Sequence, residues 1–295
     1  MAYTVPSAFT EFAAKLKPTA TQEQTIAERR DRVENFLLAK YAAGSIMPLT
    51  EAKVIGSAGR KTLIRPINDI DVFAVFDDSQ VWSQYKNDSR QLLYRVREAL
   101  DEYQVETVGS RGQAVRLFYK DGLHVDITPA FPLYNILFRN LECYVIPRGD
   151  GSWLKTDPYK HGAFMVERNQ ALGNYLKPLV RLLKRWNNVH SNRLKSFHLE
   201  MMAQAVFTSL SSNMRENTQV FFRYAGSSLN VNDPAGYSGN LAASLTQSQR
   251  EAILQSFNTA DAHATRALQA ENDGQTEESI RQWRIVFGNE FPSYG

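Results

Sequence analysis

The run from Val54 to Phe76 constrains this chain more than any other stretch. It reads as a short apolar strand ending in Gly56-Ser57, a basic connection containing Thr62, and a second strand that opens on Asp69-Ile70-Asp71. Side chains alternate along a strand, so Asp69 and Asp71 point the same way. Ile70, Val72, Phe73, Val75 and Phe76 supply the buried surface. Two neighbouring carboxylates repel each other and are costly to desolvate. A divalent cation between them removes that cost. Hard oxygen donors of this kind suit Mg²⁺, which keeps waters and takes substrate phosphates as further ligands.

An isolated Asp-X-Asp is more often a solvated strand end. Here the pair follows Gly-Ser by about a dozen residues. Glycine lets a backbone approach a phosphate closely, and serine adds a hydroxyl and an N–H donor. A third carboxylate lies in Leu123-His124-Val125-Asp126-Ile127-Thr128-Pro129. On that short strand His124, Asp126 and Thr128 share one face, and Val125 and Ile127 the other. Asp126 is therefore expected on a strand next to the Asp69/Asp71 pair. Three carboxylates around a Gly-Ser turn fit two-metal nucleotidyl transfer, one metal activating the attacking hydroxyl and the other holding the triphosphate.

Gly-Ser, the spaced Asp-Ile-Asp and the later Val-Asp resemble the signature of the nucleotidyltransferase superfamily that includes DNA polymerase beta. The pattern is most similar to the bacterial cyclic GMP-AMP synthase-like nucleotidyltransferases (CD-NTases), relatives of oligoadenylate synthetase. The resemblance covers roughly residues 20 to 265. It implies an α+β fold, with a polymerase-beta-like sheet lobe (1–130, including a long N-terminal helix), a helical lobe (131–295) and an active-site cleft between them. It also implies a metal-dependent enzyme that joins ribonucleoside triphosphates into a cyclic di- or trinucleotide second messenger with release of pyrophosphate, for anti-phage (CBASS-type) signalling. Ring closure rests on the resemblance alone. Linear oligonucleotide synthesis, or transfer to an RNA or protein acceptor, is the alternative. A non-catalytic nucleotide-binding module would be expected to lose acidic residues, and all three are present.

The resemblance assigns Asp69, Asp71 and Asp126 to two Mg²⁺ ions, with Mn²⁺ as a substitute, and Gly56 and Ser57 to the triphosphate. In Leu176-Lys177-Pro178-Leu179-Val180-Arg181-Leu182-Leu183-Lys184-Arg185-Trp186, the residues Leu179, Leu182, Leu183 and Trp186 form an apolar stripe. Lys177, Arg181 and Lys184 recur at helical spacing on the opposite face. The related enzymes have a similar run whose lysine binds triphosphate, which makes Lys184 the phosphate ligand by resemblance and Arg181 a weaker one. Ser196 is a natural helix N-cap. In the relatives a polar residue and an aromatic at this place touch phosphate and stack on a base, here Ser196 and Phe197. Any base offers a π-face to such a ring. His198 reads as structural.

Elsewhere the chain punctuates itself. A short helix is expected over 7–17, and a long one opening on Thr21-Gln22-Glu23-Gln24 and ending at Gly44. Another is expected from Asp78-Ser79 to about Tyr103, then strands at 105–108 and 113–119. A strand is expected at 144–147, and a turn and loop over 148–158 in which Trp153 is either a packed anchor or a substrate contact. Helices are expected at 161–173, 176–187, from Ser196 onward, from Thr246 to about Glu271 (capped by Thr246 with Gln249) and at 277–287. The Asn-, Asp- and Gly-rich loop at 226–241 shapes the structure or the substrate.

Net charge is +3, which permits a basic nucleotide site but gives no strong nucleic-acid-binding signal. The single cysteine, Cys143, excludes an internal disulfide and a cysteine-rich zinc ribbon, and fits a reducing cytoplasm. No apolar run reaches the roughly 18 residues of a membrane span, and the N-terminus lacks the layout of a signal peptide. Ribonucleoside triphosphates are the expected partners, and an activating protein is compatible with all of these features.

Overall fold

Two capping boxes set the start of the chain. Thr4 and Ser7 open α1 (Val5–Leu16), and Thr19 and Gln22 open α2 (Ala20–Lys40), each pair exchanging side-chain and backbone hydrogen bonds. The box of α2 thus begins two residues before the Thr21 expected for it. Once Thr19 and Gln22 satisfy the first free N–H groups, Thr21 lies inside the first turn, where its hydroxyl has no capping role. In the computed structural model, which describes residues 2–77, 82–135, 137 and 140–295 and only the backbone of Ser83, the chain continues through β1 (Leu49–Val54), α3 (Gly56–Gly59), β2 (Asp69–Phe76), α4 (Trp82–Tyr85), α5 (Arg90–Leu100), β3 (Thr107–Arg111), β4 (Ala114–Phe118), β5 (His124–Tyr134), β6 (Leu141–Pro147) and β7 (Trp153–Thr156). Helices α6 (Pro158–Ala171), α7 (Leu176–Val189), α8 (Ser196–Val206), α9 (Met214–Tyr224), α10 (Gln247–Asn272) and α11 (Thr276–Phe287) complete it. The expected caps Asp78 and Ser79 lie outside the described residues.

The chain forms two compact units. One comprises residues 19–60 and 67–162, the other 1–18, 61–66 and 163–295. The first is built on the sheet. Its strand order is β1-β2-β5-β4-β3, with β6 on the far half of β5 and β7 on β6. β2 and β5 run parallel, and the other pairs are antiparallel. Position 130 falls inside β5, and the sheet continues to Thr156. Strand β7 occupies part of the expected 148–158 loop. A tight turn, in which the Arg148 N–H donates to the Ser152 carbonyl at 2.8 Å, folds Trp153–Thr156 back onto β6. Phe73, Val75, Ala130, Tyr144 and Ile146 form a buried cluster on one face, with Leu154 and Tyr159 packed on it. Trp153 is an anchor: its indole donates to the Lys86 carbonyl at 3.1 Å, and its ring lies 5.0 Å from that of Trp82.

The second unit is helical. The long apolar stripe of α7 buries Leu179, Leu182, Leu183 and Trp186, and Trp186 stacks on Phe257 of α10 at 5.3 Å. Helix α1 belongs here: Phe9 meets Trp283 of α11 at 4.9 Å, and Phe12 meets Phe291 at 5.1 Å. Thr246 caps α10 with Gln249 as its partner, as the sequence indicates. The loop at 226–241 is folded around Asp233, whose carboxylate accepts N–H groups from Ala235, Tyr237 and Ser238 at 2.9 to 3.1 Å. Its aspartate therefore has a structural task. No helix among the described residues is long and apolar enough to cross a membrane.

Candidate active site

The site residues of the sheet unit come together because β2 and β5 are parallel neighbours in a fixed register. Asp69 pairs with His124, Ile70 with Val125, and Asp71 with Asp126. Asp71 and Asp126 are therefore side by side on adjacent strands, with Asp69 two positions away on the same face as Asp71. Ile70, Val125 and Ile127 on the other face are buried and hold the register.

Gly56 closes one side of this carboxylate group. Its φ is +62°, a conformation that side-chain-bearing residues rarely adopt. A Cβ built on it would stand 1.9 Å from Asp71 Oδ2. The backbone after β1 thus passes directly against the carboxylate, and only glycine permits that approach. Ser57 follows in the single turn of α3, while Arg60, just after it, is buried.

The carboxylates are unequally satisfied. Asp126 is 8% exposed and takes a two-point contact from Arg116, Nε to Oδ1 at 2.5 Å and Nη2 to Oδ2 at 2.6 Å. The same Nη2 donates to Asp69 Oδ2 at 2.8 Å, and Arg111 Nη1 reaches that oxygen at 3.2 Å. Asp71 has its pKa pushed up from the ordinary carboxylate range. Burial is the chief cause, followed by repulsion from Asp69 and Asp126, against which Arg60 and Arg116 act. A proton on Asp71 is thus held more tightly folded than unfolded. That contribution to stability is complete below the unfolded pKa and is lost as pH rises through the higher folded pKa. In EDTA, Asp71→Asn should therefore raise the melting temperature at neutral pH and flatten its decline between the acid range and neutrality, as thermal melts across pH would record.

The nucleotidyltransferases that the sequence resembles generally depend on a divalent metal. The three aspartates supply only carboxylate oxygen, the donor type that Mg²⁺ and Mn²⁺ take. The pKa of Asp71 is raised chiefly by burial and further by the charges of Asp69 and Asp126, which the neighbouring arginines oppose. The residues fit such an ion. Among the described residues no ready-made cluster of three His, Cys, Asp or Glu side chains is formed, and a guanidinium stands among these carboxylates instead.

The remaining candidates lie in the helical unit. Lys184 is only 3% exposed, and its Nζ is 2.6 Å from Glu200 Oε1 of α8. It also donates to the Thr62 carbonyl and hydroxyl at 3.1 and 3.0 Å. Lys184 therefore does not share an exposed cationic face with Lys177 and Arg181, because the buried carboxylate of Glu200 draws it inward. Arg181 Nη2 donates to the Lys61 carbonyl at 2.7 Å. Lys177 has its pKa lowered by burial and by the charges of Arg181 and Lys61, which marks a concentration of positive charge there. Ser196 is the first residue of α8 and is exposed; Lys195 stands at the N-cap position without a side-chain capping bond, so the capping expected of Ser196 is not made. Phe197 is half-buried and packed against the helical core. His198 is structural: Nε2 pairs with the Leu229 carbonyl at 2.7 Å, and burial lowers its pKa.

Sequence reasoning missed Arg116 and Glu200. Each had a signal. Arg116 interrupts the apolar run Ala114-Val115-Leu117-Phe118, and Glu200 interrupts Leu199-Met201-Met202. A charge inside an apolar segment requires an opposite charge near it.

Comparisons with known proteins bear on the family and the fold. Residues 3–169 match the Second Messenger Oligonucleotide or Dinucleotide Synthetase domain. A "Probable cyclic nucleotide synthase" of Bacillus cereus strain VD146 is 28% identical over 294 residues, covering 89% of this chain and 86% of its own. The cyclic AMP-AMP-AMP synthase of Escherichia coli strain MS 115-1 is 27% identical over 295 residues, 90% of each chain. The fold matches that of E. coli MS115-1 CdnC in its complex with HORMA-deltaN (TM-score 0.79, 24% identity, 97% of this chain and 98% of that one). It also matches CdnC with ATP (TM-score 0.76, 24% identity, the same coverage). The carboxylate-bearing sheet, the glycine against Asp71 and a match over more than half the chain lead to one assignment: this protein belongs to the Second Messenger Oligonucleotide or Dinucleotide Synthetase family, the nucleotidyltransferases that make cyclic oligonucleotide second messengers.

Proposed function

We propose that this chain condenses ribonucleoside triphosphates into a cyclic di- or trinucleotide in the cytoplasm, in anti-phage signalling, with two Mg²⁺ or Mn²⁺ ions held by Asp69, Asp71 and Asp126. The observation that carries the reading is the Asp71–Asp126 register, with Gly56 pressed against Asp71. When bound, the ions supply charge stabilisation and activate the attacking hydroxyl. Asp126 assists removal of that hydroxyl's proton. Gly56 and Ser57 bind the donor triphosphate through close backbone approach, with Ser196 and the positive charge of Lys61, Lys177 and Arg181 as further ligands. Lys184 serves the triphosphate by fixing the Lys61-Thr62 backbone through its bonds to Thr62. Phe197 stacks a base. Adenosine is the first base to test, because the E. coli relative is named for a cyclic AMP trimer. The CdnC complex with HORMA-deltaN supports a protein activator as a partner.

The deciding experiment incubates the protein with four radiolabelled ribonucleoside triphosphates and Mg²⁺ or Mn²⁺, treats the products with phosphatase and determines their masses. A phosphatase-resistant product that is absent with Asp69→Ala/Asp71→Ala is expected. Products that phosphatase trims to linear oligonucleotides with free 5′-hydroxyl ends, as their masses would show, or label transferred to added RNA, would replace cyclisation with linear synthesis or acceptor tailing.

A further inference from the structure

We propose that Arg116 is the resident counter-ion of the acidic site: its Nη2 occupies the place of a divalent cation between Asp69 and Asp126, and a cation enters by displacing it. The proposal rests on the reading that the three aspartates hold the metal.

One nitrogen atom lies 2.8 Å from Asp69 Oδ2 and 2.6 Å from Asp126 Oδ2. It therefore bridges carboxylates from two different strands, as a shared metal ion does. Nε completes the fork on the other oxygen of Asp126 at 2.5 Å. Among the described residues, Arg116 is ion-paired with Asp69 and Asp126. It is 9% exposed, in the middle of β4, directly across from Asp126 in the ladder. Burial of a guanidinium is tolerated only where its charge is paired. Without it, three carboxylates would face one another across two strands. A lysine could offer only a point charge, whereas the planar fork of arginine spans both carboxylates.

A Mg²⁺ ion held by Asp69 and Asp126 would need oxygens at about 2.0–2.1 Å, and the two oxygens that Nη2 engages would not be available to it while the guanidinium stays. Two cations at that separation also repel each other strongly in a partly buried site. Arg116 thus stabilises the metal-free site and weakens its affinity for metal. Arg111, exposed and at 3.2 Å from Asp69, adds to the same field from the rim.

The test uses Mn²⁺ alone, titrated into the full chain without nucleotide, with free Mn²⁺ read by electron paramagnetic resonance. Arg116→Met should lower the Mn²⁺ Kd by about tenfold, and Arg116→Lys should lower it less. In EDTA the Met variant should melt below wild type, with Mn²⁺ restoring the difference. A merely structural arginine would give the lower melting temperature without tighter binding, so an unchanged or raised Kd overturns the proposal. If the Met variant does not fold, the Lys variant decides by the same criterion. Asp71→Asn in the wild-type and variant backgrounds separates the two readings. Mn²⁺ binding that ignores Asp71→Asn removes the metal-site reading and this proposal with it. Binding that depends on Asp71 but is not tightened by Arg116→Met removes only the counter-ion.

Discussion

Gly56→Ala should reduce product formation by about 10²-fold or more while leaving the sheet folded. The added Cβ meets Asp71 Oδ2 at 1.9 Å, far inside any permitted contact. The Asp71 backbone is held in the sheet by its pairing with Asp126, so either its carboxylate swings aside or the backbone at Gly56 moves away. The φ of +62° is in addition unfavourable for alanine. With Asp71 holding the metal as proposed, a displacement of about 1 Å at its carboxylate has this order of effect on rate. The cost in stability should be smaller, about 1–3 kcal/mol. The check is a product assay beside a thermal melt. An alanine variant with more than a third of wild-type activity would mean that Asp71 is not at the reacting centre.

The second large effect belongs to the helical unit. Lys184 and Glu200 are 3% and 0% exposed and are paired at 2.6 Å. Removing one partner strands the other charge in the core, which typically costs about 3–5 kcal/mol. Glu200→Ala is therefore expected to lower the melting temperature by roughly 10 °C. Lys184→Met/Glu200→Leu should recover most of that loss, because a well-packed apolar pair replaces a buried ion pair at little cost. The double variant also isolates function. If Lys184 fixes the Lys61-Thr62 backbone for the triphosphate, the folded double variant should show a raised KM for nucleotide. An unchanged KM in a stable double variant would make the pair purely structural.

The placement of the three aspartates was legible because they obey local rules. Asp69 and Asp71 announce themselves by strand alternation, and Asp126 by the same rule on a second short strand. Gly-Ser before them carries a steric requirement that one residue type meets. The cap of α10 was legible for the same reason, since a threonine and a glutamine three residues apart satisfy each other whatever surrounds them. Element edges were less legible. The box of α2 lies two residues before the expected position, where several polar residues compete for the same free N–H groups, and α8 starts one residue earlier than a Ser196 cap would place it, with no side-chain cap. The strand β7 was hidden because its stability comes from pairing with β6 rather than from its own composition.

The sequence by itself determined the type of fold, the three aspartates and the glycine against one of them, since alternation, turn chemistry and steric limits act over a few residues. Tertiary structure alone decided that Asp71 and Asp126 are level, that Arg116 answers them from the next strand, that Lys184 turns inward to Glu200, and that α1 packs on α11. Each of these depends on register or packing between segments far apart in the chain. Long-range electrostatic pairing follows from where strands and helices come to rest, and no local pattern encodes that distance.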